Sequence, residues 1–269
     1  MTTLPQSEHL LTERDGSVLT VWLNRPDARN ALSAEMVDDI DTILDAVRDD
    51  RSVRTLVVRG KGGFFCAGGD LKGFQSGLQG GAPDADAVAR DNRRFGDLMI
   101  KLNEQPQVVI ALVEGAAIGG GLGLACVADV TIVTRAARFR LSETSLGIPP
   151  AQIAPFVTER VGLTQARRLM LTGARFTGQA AVDCGVAHLL AEDSADLERQ
   201  CAAVLAQIAL CAPEANAVTK GIVFATTRRP RGEALDFAAL GFADCMLGDE
   251  GREGVAAFVE KRKPSWATD

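Results

Sequence analysis

The chain has 269 residues, 46% of them hydrophobic and 24% charged, and a formal net charge of -6. That length can bury a sizeable core in one large domain or two, and the acidic balance argues against a nucleic-acid surface. Only two histidines are present, His9 and His188, which excludes a His-rich metal site and counts against a Ser-His-Asp triad.

The first sixteen residues lack the basic and apolar stretches of an export signal, and no apolar run approaches the roughly 20 residues of a membrane helix. Cys66, Cys126, Cys184, Cys201, Cys211 and Cys245 form no CxxC pair and read as free thiols of a reducing compartment. The protein is expected to be soluble and cytoplasmic. Residues 17–24 alternate, with Leu19, Val21 and Leu23 on one face, and predict a strand. Asn24-Arg25-Pro26-Asp27 turns. Ser33 caps a helix whose buried stripe is Met36, Ile40, Ile43, Leu44 and Val47. A strand over 53–59 follows, so strand, helix and strand predict parallel pairing through a right-handed crossover.

Residues 73–86, rich in glycine, predict a flexible loop over the site. A helix over 85–103 turns Val88, Phe95, Leu98, Met99 and Leu102 inward and leaves Arg90, Arg93 and Arg94 on a solvated face. Strands are expected at 107–113, 129–134, 138–141 and 186–191, and helices at 122–127, 164–171 and 177–184. From Ser194 on, only helices are expected: one with the stripe Leu197, Cys201, Val204, Leu205 and Ile208, one from Pro213, one over 232–247 and one over 250–263.

Two glycine turns carry the chemistry. Gly119-Gly120-Gly121 lies where the strand 107–113 has ended and a helix begins, and Ala67-Gly68-Gly69-Asp70 follows the strand 53–59. Glycines there also serve close packing of helix on sheet. Neither a strict GxGxxG nor a GKS/T phosphate loop is present. Two strand-to-helix turns can each supply one N–H to a single oxygen, which is an oxyanion hole of the kind that stabilises a thioester enolate.

These motifs resemble the enoyl-CoA hydratase/isomerase (crotonase) superfamily. They are the 64–71 run FFCAGGDL, the 118–129 run IGGGLGLACVAD and Ser142-Glu143-Thr144 through Pro149. Asn24-Arg25-Pro26, Asn30-Ala31-Leu32 and the 250–262 segment fit as well, so the resemblance spans nearly the whole chain. It implies an α/β spiral of ββα units over 1–195 and a helical oligomerisation region over 196–269, assembled as a homotrimer or a dimer of trimers. It puts the oxyanion donors at Gly69 and Gly120. Of the two glutamates common in family hydratases, one position is Gly123 here and the other is Glu143, which becomes the single acid/base candidate. It puts Arg25, Ala28, Arg29, Ala67, Asp70 and Leu71 near CoA, with Lys261 of a neighbouring subunit reaching its phosphates. Asp70 can equally cap the helix that follows it. No metal or separate cofactor is implied, since CoA is part of the substrate.

The 149–157 segment PPAQIAPFV replaces a run that is glycine-rich in much of the family, and resembles bacterial hydratases of branched glutaconyl-CoA thioesters, the 3-methylglutaconyl-CoA and isohexenylglutaconyl-CoA hydratases. Gln152 is then expected to line the acyl pocket, with Gly123 leaving room beside Leu122 for a branch. The alternatives are an enoyl-CoA isomerase or decarboxylase of the same fold, and a non-catalytic acyl-CoA-binding paralogue.

Overall fold

A computed structural model describes residues 4, 7–71, 73 and 84–267. Most of the loop expected over 73–86 therefore lies outside the described residues. Strand β1 (Leu10–Asp15) turns at Gly16, where φ is +55°, into β2 (Val18–Leu23). The remaining strands are β3 (Thr55–Gly60), β4 (Val108–Val113), β5 (Ala116–Ile118), β6 (Val130–Thr134), β7 (Arg138–Arg140), β8 (Arg175–Thr177) and β9 (Leu189–Ala191). The larger sheet has the order β1-β2-β3-β4-β6-β9, and β5-β7-β8 form a small second sheet. From β2 to β9 every pairing in the larger sheet is parallel; β1 is its antiparallel edge.

A parallel sheet needs both faces covered, and alternate residues divide the core accordingly. Leu56 and Val58 of β3, with Val109, Ala111 and Val113 of β4, join one hydrophobic cluster. Val57, Ile110, Leu112 and Ile132 join the other. The first face is covered by α1 (Ala34–Val47), α2 (Ala85–Asn103) and α3 (Gly120–Val127). Ser33 Oγ accepts the Met36 N–H, and the expected stripe of α1 is buried. The second face is covered by α6 (Ser194–Ala209), through Leu197 and Cys201. Between them run α4 (Ala154–Thr172) and α5 (Gly178–Asp183), and the chain ends in α7 (Pro213–Arg228), α8 (Arg231–Leu247) and α9 (Asp249–Val259).

Three differences from the expected elements have physical causes. β1 escapes the sequence pattern because only Leu10 is buried in it. β5 and β8 are three-residue strands, too short for periodicity to register. α4 begins ten residues before the expected helix, with a proline in its first turn, and a non-helical Gly162 (φ +74°, ψ 159°) divides it.

Two cations tie the C-terminal helices to the sheet. Lys220 Nζ of α7 donates to the carbonyls of Gln105 and Gln107 at 2.7 Å each, and pairs with Asp129 at 2.5 Å. Arg54 donates to the carbonyls of Ile208 and Ala209, the last turn of α6, at 3.1 Å, and to that of Cys211. Beyond these anchors α8 and α9 expose Leu240, Phe242, Leu247, Phe258 and Val259, Phe258 to 85%.

Replacing the part-buried Lys220 with methionine removes the cation paired with Asp129, leaving that carboxylate only the Val109 N–H, and takes a donor from the Gln105 and Gln107 carbonyls. A urea titration of Lys220→Met is expected to show a loss of about 3 kcal/mol; parent-like stability would show that the anchor contributes nothing.

Candidate active site

The site begins with backbone. After β3 the chain crosses to β5: Cys66 N–H donates to the Ala116 carbonyl at 3.0 Å, and Ile118 N–H donates to the Cys66 carbonyl at 3.0 Å. One step on, Leu32 N–H donates to Gly68 O at 2.8 Å, and Asp70 N–H to Leu32 O at 2.9 Å. This parallel bridge leaves the Gly69 N–H facing away from its partner strand. Gly68 adopts φ +97° and Gly119 φ +51°, left-handed conformations in which a side chain is strained. Gly120 is the first residue of α3, where the helix has no internal acceptor for its N–H. Among the described residues neither the Gly69 nor the Gly120 N–H donates to a protein acceptor. The two turns touch: a Cβ at Gly68 would lie 3.6 Å from Gly120 N, and one at Gly121 would lie 2.7 Å from Cys66 Cβ.

Glu143 opens a short 3-10 turn over Glu143–Leu146. Ser145 Oγ donates to Ser142 O at 2.6 Å, Thr144 Oγ1 donates to Met170 O at 3.0 Å and Arg140 donates to Ser145 Oγ at 3.1 Å, which fixes the turn. The carboxyl group rests on the glycine turn: a Cβ at Gly119 would stand 2.7 Å from Oε1. Oε2 is buried and has no hydrogen-bond partner among the described residues. Burial pushes the Glu143 pKa up from its ordinary value, against a smaller lowering by the Glu143 and Ser142 backbone amides. A carboxyl group with one orphaned oxygen thus adjoins a turn carrying an unpaired N–H. Such a set can hold an oxyanion on its N–H groups and exchange a proton beside it.

The expected acyl-pocket residues divide. Gly123 opens no room for a branch: a Cβ there would collide with Ile153 Cγ2 and lie 3.2 Å from Met99 Cε, so those two side chains fill the place. Leu122 is fully buried in the hydrophobic core and lines no open space. Gln152 is half-buried, and its Nε2 donates to Asn92 Oδ1 at 2.8 Å. Phe95, whose ring would be 3.3 Å from a Cβ at Gly120, stands over the glycine turn.

Of the expected CoA residues, Arg25 and Asp70 pair with each other at 2.8 Å. Arg25 also donates to Ala31 O at 2.7 Å, and Asp70 Oδ1 accepts the Gly73 N–H at 3.2 Å, so Asp70 caps the chain that follows it. Ala28 lies in a 3-10 turn over Pro26–Ala28. Arg29 is exposed, with its guanidinium 5.7 Å from the Phe64 ring centre, and its carbonyl accepts the Ala67 N–H at 3.0 Å. Leu71 is 50% exposed. Arg25, Ala28, Arg29, Ala67, Asp70 and Leu71 thus share one rim. Lys261 sits in the turn after α9, where its N–H donates to Phe258 O at 3.3 Å, and among the described residues no hydrogen bond joins it to that rim.

Asn30, a motif residue to which the sequence assigns no role, holds this rim together. Asn30 is fully buried with φ +56°. Its Nδ2 donates to Lys61 O at 3.0 Å and Phe64 O at 2.6 Å, and its Oδ1 accepts the Arg25 N–H at 2.8 Å. The available signal was an asparagine in a turn, the residue type that best tolerates left-handed backbone after glycine. Among the described residues no group of three or more His, Cys, Asp or Glu side chains could hold a metal ion.

The sequence profile of the enoyl-CoA hydratase/isomerase family matches residues 13–269. A probable enoyl-CoA hydratase of Bacillus subtilis is 32% identical over 253 residues, 94% of this chain and 96% of the relative. A carnitinyl-CoA dehydratase of Proteus mirabilis is 35% identical over 271 residues, covering 98% and 99%. The solved structure of AtuE from Pseudomonas aeruginosa superimposes with a TM-score of 0.94 at 52% identity, over 97% of this chain and all of that one. The fold, the paired glycine turns and these likenesses converge: the chain belongs to the enoyl-CoA hydratase/isomerase (crotonase) family.

Proposed function

We propose that the protein adds water across the 2,3 double bond of an enoyl-CoA thioester, as a hydro-lyase. The observation that carries this reading is the partly buried Glu143 carboxyl group, with its orphaned Oε2, resting on the turn that presents the Gly120 N–H. The names of the Bacillus and Proteus relatives, a hydratase and a dehydratase, agree with it.

The thioester carbonyl sits between the N–H groups of Gly69 and Gly120. Ionised Glu143 takes a proton from water as its oxygen bonds to Cβ of the substrate. The electron pair of the double bond moves toward the carbonyl, and the resulting enolate oxygen carries charge that both N–H groups favour over the neutral carbonyl. Glu143 then returns a proton to Cα, and water has been added with no net proton change. No cofactor enters this scheme, because the thioester itself is the activating group. Arg25, Ala28, Arg29, Ala67, Asp70 and Leu71 line the approach of CoA, and Lys261 of a neighbouring subunit completes it. The acyl group is a 3-branched glutaconyl chain, contacted by Gln152. The absence of a second glutamate at position 123 favours one competing reading, double-bond isomerisation by a single carboxylate; decarboxylation and binding without turnover are the other outcomes.

The apolar side chains exposed on α8 and α9 suit burial against further copies, as a trimer or a dimer of trimers. No single helix among the described residues is long and apolar enough to cross a membrane, and we place the protein in the cytoplasm.

Incubation with crotonyl-CoA, 3-methylglutaconyl-CoA and isohexenylglutaconyl-CoA is expected to add the mass of one water to a glutaconyl substrate. Glu143→Gln should abolish the gain. A shifted double bond without mass change would replace hydration with isomerisation. Since Glu143 must be ionised to accept the proton, kcat/KM is expected to fall as pH drops through its pKa. That limb should lie above the ordinary glutamate value of 4.5; a limb at or below it would contradict the role.

Gly119→Ala forces a methyl group toward Glu143 Oε1 at a positive φ. Its kcat should drop about 100-fold from misplacement of the carboxyl group, and a parent-like kcat would separate Glu143 from the chemistry. Light scattering should give three or six times the 28.4 kDa chain mass; a monomer would remove the shared CoA site.

A further inference from the structure

The helix that begins at Gly120 ends without the usual backbone cap. Ala128, the residue after α3, is extended (φ -70°, ψ 143°), so no left-handed residue turns N–H groups back onto the last carbonyls. Two side chains supply donors instead. Thr131 Oγ1 donates to Ala125 O at 2.6 Å. Arg160 of α4 donates from Nε to Cys126 O at 2.9 Å and from Nη2 to Ala128 O. Residues 121–127 are all buried. This short helix, about 12 Å long, is therefore held at one end by its cap and carries the Gly120 N–H at the other.

His188 touches both capping residues. Its backbone N–H donates to Thr131 O at 2.9 Å, and its Nδ1 accepts the Thr131 N–H at 2.9 Å. Its Nε2 lies 2.9 Å from Arg160 Nη1. Both groups that face the ring nitrogens are donors and nothing else. A neutral imidazole carries one hydrogen; it keeps the Thr131 bond with that hydrogen on Nε2, where Arg160 already crowds it. An imidazolium carries two, and N–H then meets N–H on both sides of the ring.

Among the described residues, the charged groups that act on His188 are Arg160 of α4 and Asp129 in the turn before β6. Asp129 is already engaged by Lys220 of α7 at 2.5 Å and by the Val109 N–H of β4 at 2.7 Å. Burial, and after it Arg160, push the His188 pKa down from its ordinary 6.5, against a smaller lift from Asp129. The unfolded chain then binds this proton more readily than the folded one. What the seated ring contributes to stability is complete above pH 6.5 and is lost as pH falls below that value toward the folded pKa.

We infer that His188 is a pH-sensitive latch on the cap of α3: protonation expels the ring, unseats Arg160 and lets the Gly120 N–H shift. Arg160 and His188 are positioning residues, since neither touches the reacting atoms. The effect on turnover rests on the reading that the Gly120 N–H polarises the thioester carbonyl; the latch itself does not.

The test reads latch and turnover separately, on the full-length protein. The chain has only two histidines, so NMR of the imidazole nitrogens can follow His188 in the parent. It should show the hydrogen on Nε2 at neutral pH and a titration midpoint below 6.5. Hydrogen exchange of the α3 amides is then compared between the parent and His188→Gln at equal pH, which cancels the intrinsic effect of pH. Glutamine offers an acceptor and cannot titrate; His188→Asn, which keeps the acceptor for Thr131, replaces it should His188→Gln fail to fold. Between neutral pH and about pH 5 the parent should lose about 10-fold protection relative to the variant. Arg160→Met should lose that protection at every pH and lower kcat about 10-fold with KM little changed, and Arg160→Lys should restore part of both. The exchange difference without any hydration would leave the latch standing and count against the hydratase reading alone. A His188 midpoint at or above 6.5, equal protection in the parent and the non-titrating variant at about pH 5, or parent-like protection in Arg160→Met would overturn the latch.

Discussion

The site depends on the parallel contact between residues 66–68 and 116–118. Through it, Cys66 exchanges backbone hydrogen bonds with Ala116 and Ile118, and the ends of two neighbouring parallel strands are brought side by side. A single strand-to-helix turn can offer one well-aimed N–H. Two donors on one oxygen require that two turns, about fifty residues apart in sequence, meet at atomic distance. Glycine is what permits the approach, because a methyl group at Gly68 would press on the Ile118 carbonyl at 2.9 Å and one at Gly121 on the Cys66 carbonyl at 2.6 Å.

The rest of the site is built on that contact in layers. The Leu32–Gly69 bridge brings in the 25–32 segment, and Asn30 fixes that segment to residues 61 and 64 by hydrogen bonds from both ends of its amide. The Arg25–Asp70 pair then closes the rim. From the other direction, Gly119 donates its N–H to Arg140 O at 2.9 Å, which joins the glycine turn to the segment that carries Glu143. The groups at the centre of the proposed chemistry are backbone amides and one carboxyl group; most other polar side chains here hold the backbone in place.

What the sequence made legible follows from how local the cause is. α1 is readable because its cap, Ser33, and its stripe lie within one segment. β3 and β4 read as buried strands because both of their faces meet core. Gly69, Gly120 and Glu143 were legible as members of motifs, and the fold brings their segments together. Gly123 was not legible, since nothing in the sequence says that Ile153 and Met99 occupy the space it leaves. The role of Asn30 was not legible for the same reason: it acts through Lys61 and Phe64, partners distant in sequence. The Arg25–Asp70 pair likewise joins two residues that the motifs presented as separate ligand contacts.

Cys66 adds a consequence of its own. It is fully buried beneath the paired turns, its sulfur accepts the Gly68 N–H at 3.4 Å, and burial pushes its thiol pKa up to about 12. An α,β-unsaturated thioester is an electrophile, and the thiolate is the form of cysteine that adds to it. A thiol held protonated and sealed behind the paired turns is poorly placed to add to an enoyl thioester bound against them. The same burial that packs the turns together therefore disfavours the thiolate of Cys66, the form that alkylation by such an electrophile requires.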